Sequence, residues 1–197
     1  MSEALEAGFA DPVLGAQSTF RAVMDALARP GTAQAITFPS IPPTPLTAEL
    51  AAVALTLFDH DTPVWLDPAL MESDAVCAWL AFHTGAPVTT EPADAAFALV
   101  TAAELLPAIE RFAQGSDEYP DRSTTIVLAV PTLDGGQALS LRGPGVKERA
   151  VAAPAGLPVD FIAQHAENRA RFPRGVDLLL TTPGMVLGLP RSTRVEG

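Results

Sequence analysis

Apolar residues recur at steps of three and four between residues 12 and 28, at Val13, Ala16, Phe20, Val23 and Leu27. That period predicts an amphipathic helix. Asp11-Pro12 supplies an N-cap and a proline at the first helical position, and Arg29-Pro30-Gly31 stops it. Gln17, Arg21 and Asp25 take the opposite face. A strand is predicted over 33–38, followed by a loop holding Pro39, Pro42, Pro43 and Pro45. Residues 47–58 are apolar nearly all round, with Leu50, Val53, Leu55, Leu57 and Phe58, so this helix belongs inside a packed layer. A strand follows at 64–66. A further helix covers 71–83, with Val76, Trp79, Leu80 and Phe82 apolar.

The second half alternates in the same way. Short strands are predicted at 87–90 and 95–100, and a helix over 102–112 with Leu105, Ile109 and Phe112 on one face. A polar loop, 114–123, precedes the β-branched strand 124–130. Asp134-Gly135-Gly136 then turns the chain into a strand over 137–142, predicting a hairpin. In that strand Leu139 and Leu141 share one face, and Ser140 and Arg142 the other. A helix covers 159–170, carrying Phe161, Ile162 and His165. Strands at 176–180 and 185–189 flank the turn Thr182-Pro183-Gly184, and Pro190 ends the second, because proline cannot donate to a ladder. The sum is a single domain over residues 1–197, a three-layer α/β/α fold. Its sheet is mixed, since the 124–142 and 176–190 pairs read as antiparallel.

Composition narrows the function classes. The hydrophobic share is 48% and the net charge is −11, which sets the chain apart from general nucleic-acid and anionic-membrane binders. The charge is uneven: of twelve Lys and Arg residues, eight lie from Arg142 to Arg194. One cysteine, Cys77, excludes an internal disulfide and a cysteine-ligated cluster made by this chain alone. It reads as a small core residue in the 71–83 helix. That usage fits a reducing cytoplasm. The acidic first residues lack a leader's apolar core, and no run reaches the roughly 20 apolar residues of a membrane helix.

The candidate chemistry lies in four places. Arg171, Arg174, Arg191 and Arg194 flank the last hairpin, either reaching into solvent and pairing with carboxylates or forming an anion site. Asp177 sits within an apolar strand and needs a partner if buried, for which an arginine is the natural choice. The stretch Arg142-Gly143-Pro144-Gly145-Val146-Lys147-Glu148-Arg149 reads either as a tight turn or as a backbone cradle for phosphate, with Lys147 and Arg149 as charges. Its spacing is neither a P-loop nor a Rossmann fingerprint. Asp59-His60-Asp61-Thr62-Pro63 fits no standard metal-ligand spacing and reads as a turn, and His83 stands at a helix end where it can donate to the last carbonyls. No metal is expected.

Six segments, in order along the chain, resemble one family. They are Phe20-Arg21-Ala22-Val23-Met24-Asp25-Ala26-Leu27 leading to Arg29-Pro30-Gly31; Leu57-Phe58-Asp59-His60-Asp61-Thr62-Pro63-Val64-Trp65-Leu66; Leu80-Ala81-Phe82-His83-Thr84-Gly85-Ala86-Pro87; Leu139-Ser140-Leu141-Arg142-Gly143-Pro144-Gly145-Val146; Phe172-Pro173-Arg174-Gly175-Val176-Asp177-Leu178-Leu179-Leu180; and Leu189-Pro190-Arg191-Ser192-Thr193-Arg194-Val195. Together they resemble the PhnH subunits of the bacterial carbon–phosphorus lyase system. Ser192 departs from the threonine expected there but keeps the hydroxyl.

The resemblance implies a role in phosphonate degradation. Such subunits act with the PhnG, PhnI and PhnL subunits in making α-D-ribose 1-methylphosphonate 5-triphosphate from ATP and methylphosphonate, and a larger core complex includes the radical subunit PhnJ. It implies a homodimer in isolation and a fold like that of pyridoxal-phosphate-dependent transferases, without the cofactor. The residues agree on two points: one cysteine cannot hold an iron–sulfur cluster, and Lys147, the only lysine, is not a convincing Schiff-base residue. No cofactor is expected. Three functions follow. The chain is an interaction subunit; or it adds a phosphate-binding surface from Gly143, Gly145, Lys147, Arg149, Arg174, Arg191 and Arg194, with Asp59, His83 and Asp177 as orienting or acid–base groups; or it is a stand-alone dimeric enzyme or binder for a small phosphorylated ligand.

Overall fold

The computed structural model describes residues 8–197, so the acidic start of the chain lies outside the described residues. The first helix, α1, spans Pro12–Ala28. The Asp11 carboxylate accepts from Val13 N and Leu14 N, each at 3.0 Å, and the Arg29 N–H closes the far end onto Asp25 O. Its buried residues are Thr19, Ala22, Val23 and Ala26. Val13 and Phe20, expected on the inward face, point outward at 64% and 50% exposure. The small residues win because the helix backbone lies directly on the sheet. A Cβ on Gly188 would come within 2.6 Å of the Ala26 carbonyl.

After β1 (Gln34–Ala35), α2 (Ala48–Leu57) begins at Thr47, whose hydroxyl accepts from Leu50 N. Five consecutive residues, Leu50 to Ala54, are completely buried, as its all-round apolar pattern requires. The helix predicted over 71–83 forms as α4 (Asp74–Thr84), and a separate one-turn helix, α3 (Pro68–Met71), precedes it behind β2 (Val64–Leu66). Each has its own N-cap. Asp67 caps α3 and Ser73 caps α4. Gly85, in the left-handed region at φ 65°, ends α4.

The helix predicted over 102–112 does not form. Pro107 has no N–H, and Leu106 before it is extended at φ −79°, ψ 116°. Two 3-10 turns replace it, Ala103–Leu105 and Ile109–Arg111. Ile109 and Phe112 are still buried.

The remaining strands are β3 (Val88–Thr89), β4 (Phe97–Val100), β5 (Thr125–Ala129), β6 (Leu139–Arg142), β7 (Ala150–Ala152), β8 (Asp177–Thr182), β9 (Met185–Leu189) and β10 (Arg194–Glu196). Helix α5 is Phe161–Ala170. Seven strands make the central sheet in the order β1-β9-β8-β5-β4-β2-β3. From β8 to β3 every pairing is parallel, and β9 runs antiparallel to β8 and β1. The 176–190 hairpin is therefore as read. The 124–142 hairpin is not. β5 has β4 on one edge and β8 on the other, leaving no edge for β6. β6 instead lies between β10 and β7 in a second, antiparallel sheet.

Side-chain alternation divides the core in two. Leu99, Val127 and Leu179 face a layer with Val23, Leu50, Val53, Trp79 and Leu80. Ala98, Val100, Ile126, Leu128, Leu178 and Leu180 face the other way, with Phe112, Leu139, Leu141, Phe161 and Val195. Strands β4, β5 and β8 are thus covered on both faces, which explains their unbroken apolar runs. The first outer layer is helical. The second combines α5 with the small sheet, where a full layer of helices was expected.

Candidate functional site

Asp177 opens β8, and Arg191 follows the proline that ends β9. The hairpin register sets Leu178 opposite Leu189, which brings the two together. The Asp177 carboxylate accepts from Arg191 N at 2.8 Å and from Arg191 Nε at 3.1 and 3.2 Å. Arg191 Nη2 also donates to Asp177 Oδ2 and, at 2.6 Å, to Ser123 Oγ. Nη1 donates to Pro120 O at 2.6 Å and Pro173 O at 3.4 Å. Ser123 is in place because it bridges to Gln114 across the 114–123 loop. The side chains are 14% and 20% exposed. Arg191 is the partner Asp177 required, and its N–H groups point at the protein's own acceptors.

The other hairpin arginines pair more loosely. Arg174 meets Asp117 at 3.1 Å, Arg171 meets Glu110 at 3.4 Å, and Arg194 meets Glu196 at 2.7 Å. These are exposed pairs, each worth about 0–1 kcal/mol.

In the 142–149 stretch both glycines meet backbone. Gly143 has φ 137°, and a Cβ there would lie 3.0 Å from Ser192 O. Gly145 has φ 78°, and its Cβ would fall 1.9 Å from Ala28 O. The Val146 and Arg149 N–H groups are already bonded to Gly143 O and Lys147 O. Packing of Gly143 against the Ser192 backbone and of Gly145 against the end of α1 therefore accounts for the glycines. Lys147 and Arg149 are exposed on the outside of the turn.

Asp59 and His83 stand apart from the arginines. Asp59 accepts from Thr62 Oγ1 at 2.6 Å and from Asp61 N at 3.0 Å. These bonds, the hydroxyl first, lower its pKa. The segment is thus a self-bonded turn. His83 lies against the Trp79 and Phe82 rings, with centroids 4.6 and 5.0 Å away.

The structure adds residues that the sequence pattern did not single out. Asp67, fully buried at the carboxyl end of β2, accepts from Leu70 N, Thr101 N and Thr101 Oγ1. Its only advance signal is the Asp-Pro pair at a helix start. Asn168 binds both the N–H and the C=O of Val176. His165 is completely buried, and neither ring nitrogen has a hydrogen-bond partner among the described residues. Burial first, and then the charge of Arg169, hold its pKa at about 4. Two hollows share Phe172 and Ser192. One, of about 320 Å³, adds Pro144 and Arg169. The other, of about 380 Å³, adds Asp177 and Arg191 among others. A further hollow against α5 is lined by Glu110, Asp160 and Glu167 with Arg171, an acidic balance unsuited to anions.

Comparison with known proteins decides the family. Residues 7–196 match the family described as Bacterial phosphonate metabolism protein (PhnH). The chain belongs to the PhnH family. It is 52% identical over 195 residues to the alpha-D-ribose 1-methylphosphonate 5-triphosphate synthase subunit PhnH of Rhizobium meliloti (strain 1021), covering 99% of this chain and 97% of that one. A putative C-P lyase subunit protein HtxG of Stutzerimonas stutzeri is 36% identical over 102 residues, 52% of this chain and 51% of that one. A match over residues 7–196 takes in all six segments quoted above, so the PhnH likeness extends from α1 to β10.

Proposed function

We propose that this chain is a subunit of an α-D-ribose 1-methylphosphonate 5-triphosphate synthase in organic phosphonate catabolism, acting with the PhnG, PhnI and PhnL subunits and, in a larger core complex, with PhnJ. The observation that carries this reading is the 52% identity along 99% of the chain to a subunit of that name. Its work is first that of an interaction subunit. The most ordered charge constellation, Asp177 with Arg191, is directed inward at protein acceptors, as a structural clamp requires. A phosphate-binding surface on the same chain is the second part of the reading, supported by the cations gathered from Arg142 to Arg194.

A homodimer in isolation and a cytoplasmic setting go with this proposal. Among the described residues no helix is long and apolar enough to cross a membrane. The fold is taken to be of the pyridoxal-phosphate transferase-like kind, in keeping with its mixed seven-stranded sheet. The residues do not fit that cofactor. Lys147 is exposed on a turn whose Gly145 packs against the end of α1.

The test is co-expression of the tagged chain with PhnG, PhnI and PhnJ, followed by sizing. Entry into one stable complex is the expected result. A chain that elutes alone beside all three partners overturns the reading.

A further inference from the structure

We propose that the hollow formed by Pro144, Arg169, Phe172 and Ser192 is a phosphate-ester site, with Arg169 as its main contact and Arg142 and Arg194 as charged flanks. The proposal rests on the phosphonate-complex reading only for the class of ligand. The location comes from the register of the small sheet.

That register sets Arg194 directly opposite Arg142. Their strand neighbours Val195 and Leu141 are buried, so both arginines share the outward face. Like charges directly opposite each other destabilise a strand pair. Carboxylates are plentiful, 23 in the chain, yet among the described residues neither Arg142 nor Arg169 has an ion-pair partner. Arg194 has Glu196, two residues along the same face. An added anion would relieve this repulsion.

The strand ends bring the parts together. Arg142 closes β6 and runs into Gly143-Pro144; Ser192-Thr193 runs into Arg194, which opens β10. Gly143 lets the two segments approach, since a Cβ there would lie 3.0 Å from Ser192 O. Arg169 comes from the last turn of α5 and shares the hollow with Pro144 and Ser192. Arginine offers a planar fork that matches phosphate oxygens, and the serine hydroxyl adds a donor. Phe172, 62% exposed, gives the hollow an apolar wall. A volume of about 320 Å³ suits a phosphate group carrying a small organic body. Arg191 is not a member, because its donors are already committed.

The test is titration calorimetry of the whole chain at low salt with three probes: orthophosphate, tripolyphosphate and phenyl phosphate. Tripolyphosphate is expected to bind more tightly than orthophosphate, and phenyl phosphate more tightly than orthophosphate through Phe172. Arg169→Ala is expected to weaken tripolyphosphate by roughly tenfold, the worth of one hydrogen bond to a charged group. Arg142→Gln should weaken it several-fold, and Arg21→Gln, on the outward face of α1, should change nothing. All three residues are exposed, and unchanged circular dichroism would establish that the variants fold. No binding at millimolar tripolyphosphate, or equal binding by the wild type and Arg169→Ala, overturns the site. Equal loss in Arg21→Gln also overturns it, since that marks diffuse counterion attraction. Assembly is read separately by sizing. A chain that assembles without binding phosphate loses this site alone, and one that binds without assembling loses the complex reading.

Discussion

Arg191 holds Asp177 through its backbone N–H, Nε and Nη2 together, so one residue both closes the β8–β9 hairpin and fixes the carboxylate that opens it. The same guanidinium reaches Pro120 O and Ser123 Oγ on the preceding loop. Truncating its side chain leaves the largely buried carboxylate with only the residue-191 backbone N–H, and strips Pro120 O and Ser123 Oγ of the guanidinium. Arg191→Ala is therefore expected to cost about 2–4 kcal/mol, toward the lower end for a broken buried pair because both groups keep some contact with water. Arg191→Lys should recover little, since an ammonium cannot serve a fork of acceptors. Arg174→Ala, which breaks an exposed pair, should cost less than about 1 kcal/mol. Urea unfolding of the three variants checks this, and similar losses for Arg191→Ala and Arg174→Ala would refute it.

Gly145 and Gly184 separate two costs that are usually mixed. Both have positive φ, 78° and 76°. Around Gly184 there is open space for a Cβ, whereas at Gly145 one would meet the Ala28 carbonyl at 1.9 Å. Gly184→Ala should cost about 1–2 kcal/mol, the backbone term alone. Gly145→Ala adds a clash with backbone that cannot yield without moving the end of α1, and should be the worse of the two. Thermal unfolding measures the order. A milder effect at Gly145 would mean the loop is free to shift.

The layered α/β architecture and its mixed sheet were legible in the sequence because the buried strands are apolar on both faces and the last hairpin carries its own turn. The pairing of 124–130 with 137–142 was misread because a turn signal says that the chain reverses, not that the reversed strand finds a free edge. Only the parallel neighbours of β5 exclude it. The inward face of α1 was misread at Val13 and Phe20 for a related reason. Size decided against hydrophobicity, and the cause, Gly188, lies on a strand remote in sequence. The Asp177–Arg191 pair could be anticipated from a carboxylate in an apolar run. The juxtaposition of Arg142 and Arg194 could not, since it depends on a strand register formed between residues remote in sequence.

Asn168 joins α5 to the entry of β8 by accepting from Val176 N at 2.8 Å and donating to Val176 O at 2.9 Å. It is 3% exposed, so water cannot replace it. Asn168→Ala leaves two buried backbone groups unpaired, at about 1–3 kcal/mol each. Asn168→Asp keeps the acceptor but loses the donor and buries a carboxylate against Val176 O, so it should also fall well below wild type. Denaturant midpoints for the pair give the test, and an alanine variant as stable as wild type would show that the helix–strand joint is held by packing.

His165 gives the fold a predictable response to acid. Its pKa is lowered from 6.5 to about 4, chiefly by burial and then by the Arg169 charge, with Asp177 opposing. Between those values the unfolded chain binds the proton and the folded chain does not, so stability increases with pH through this window. The contribution is complete above about pH 6.5 and is lost as the pH falls toward 4. A gap of about 2.5, at about 1.4 kcal/mol per unit, gives about 3 kcal/mol at most. His165→Met removes the titrating ring and two nitrogens that lack partners while roughly keeping the volume. Unfolding free energies at a series of pH values should therefore fall less steeply from pH 6.5 to 4 for His165→Met than for wild type. The variant should also be no less stable than wild type at pH 5, where the buried imidazole resists the proton its unfolded form takes up. Parallel slopes would assign the acid response to the carboxylates instead.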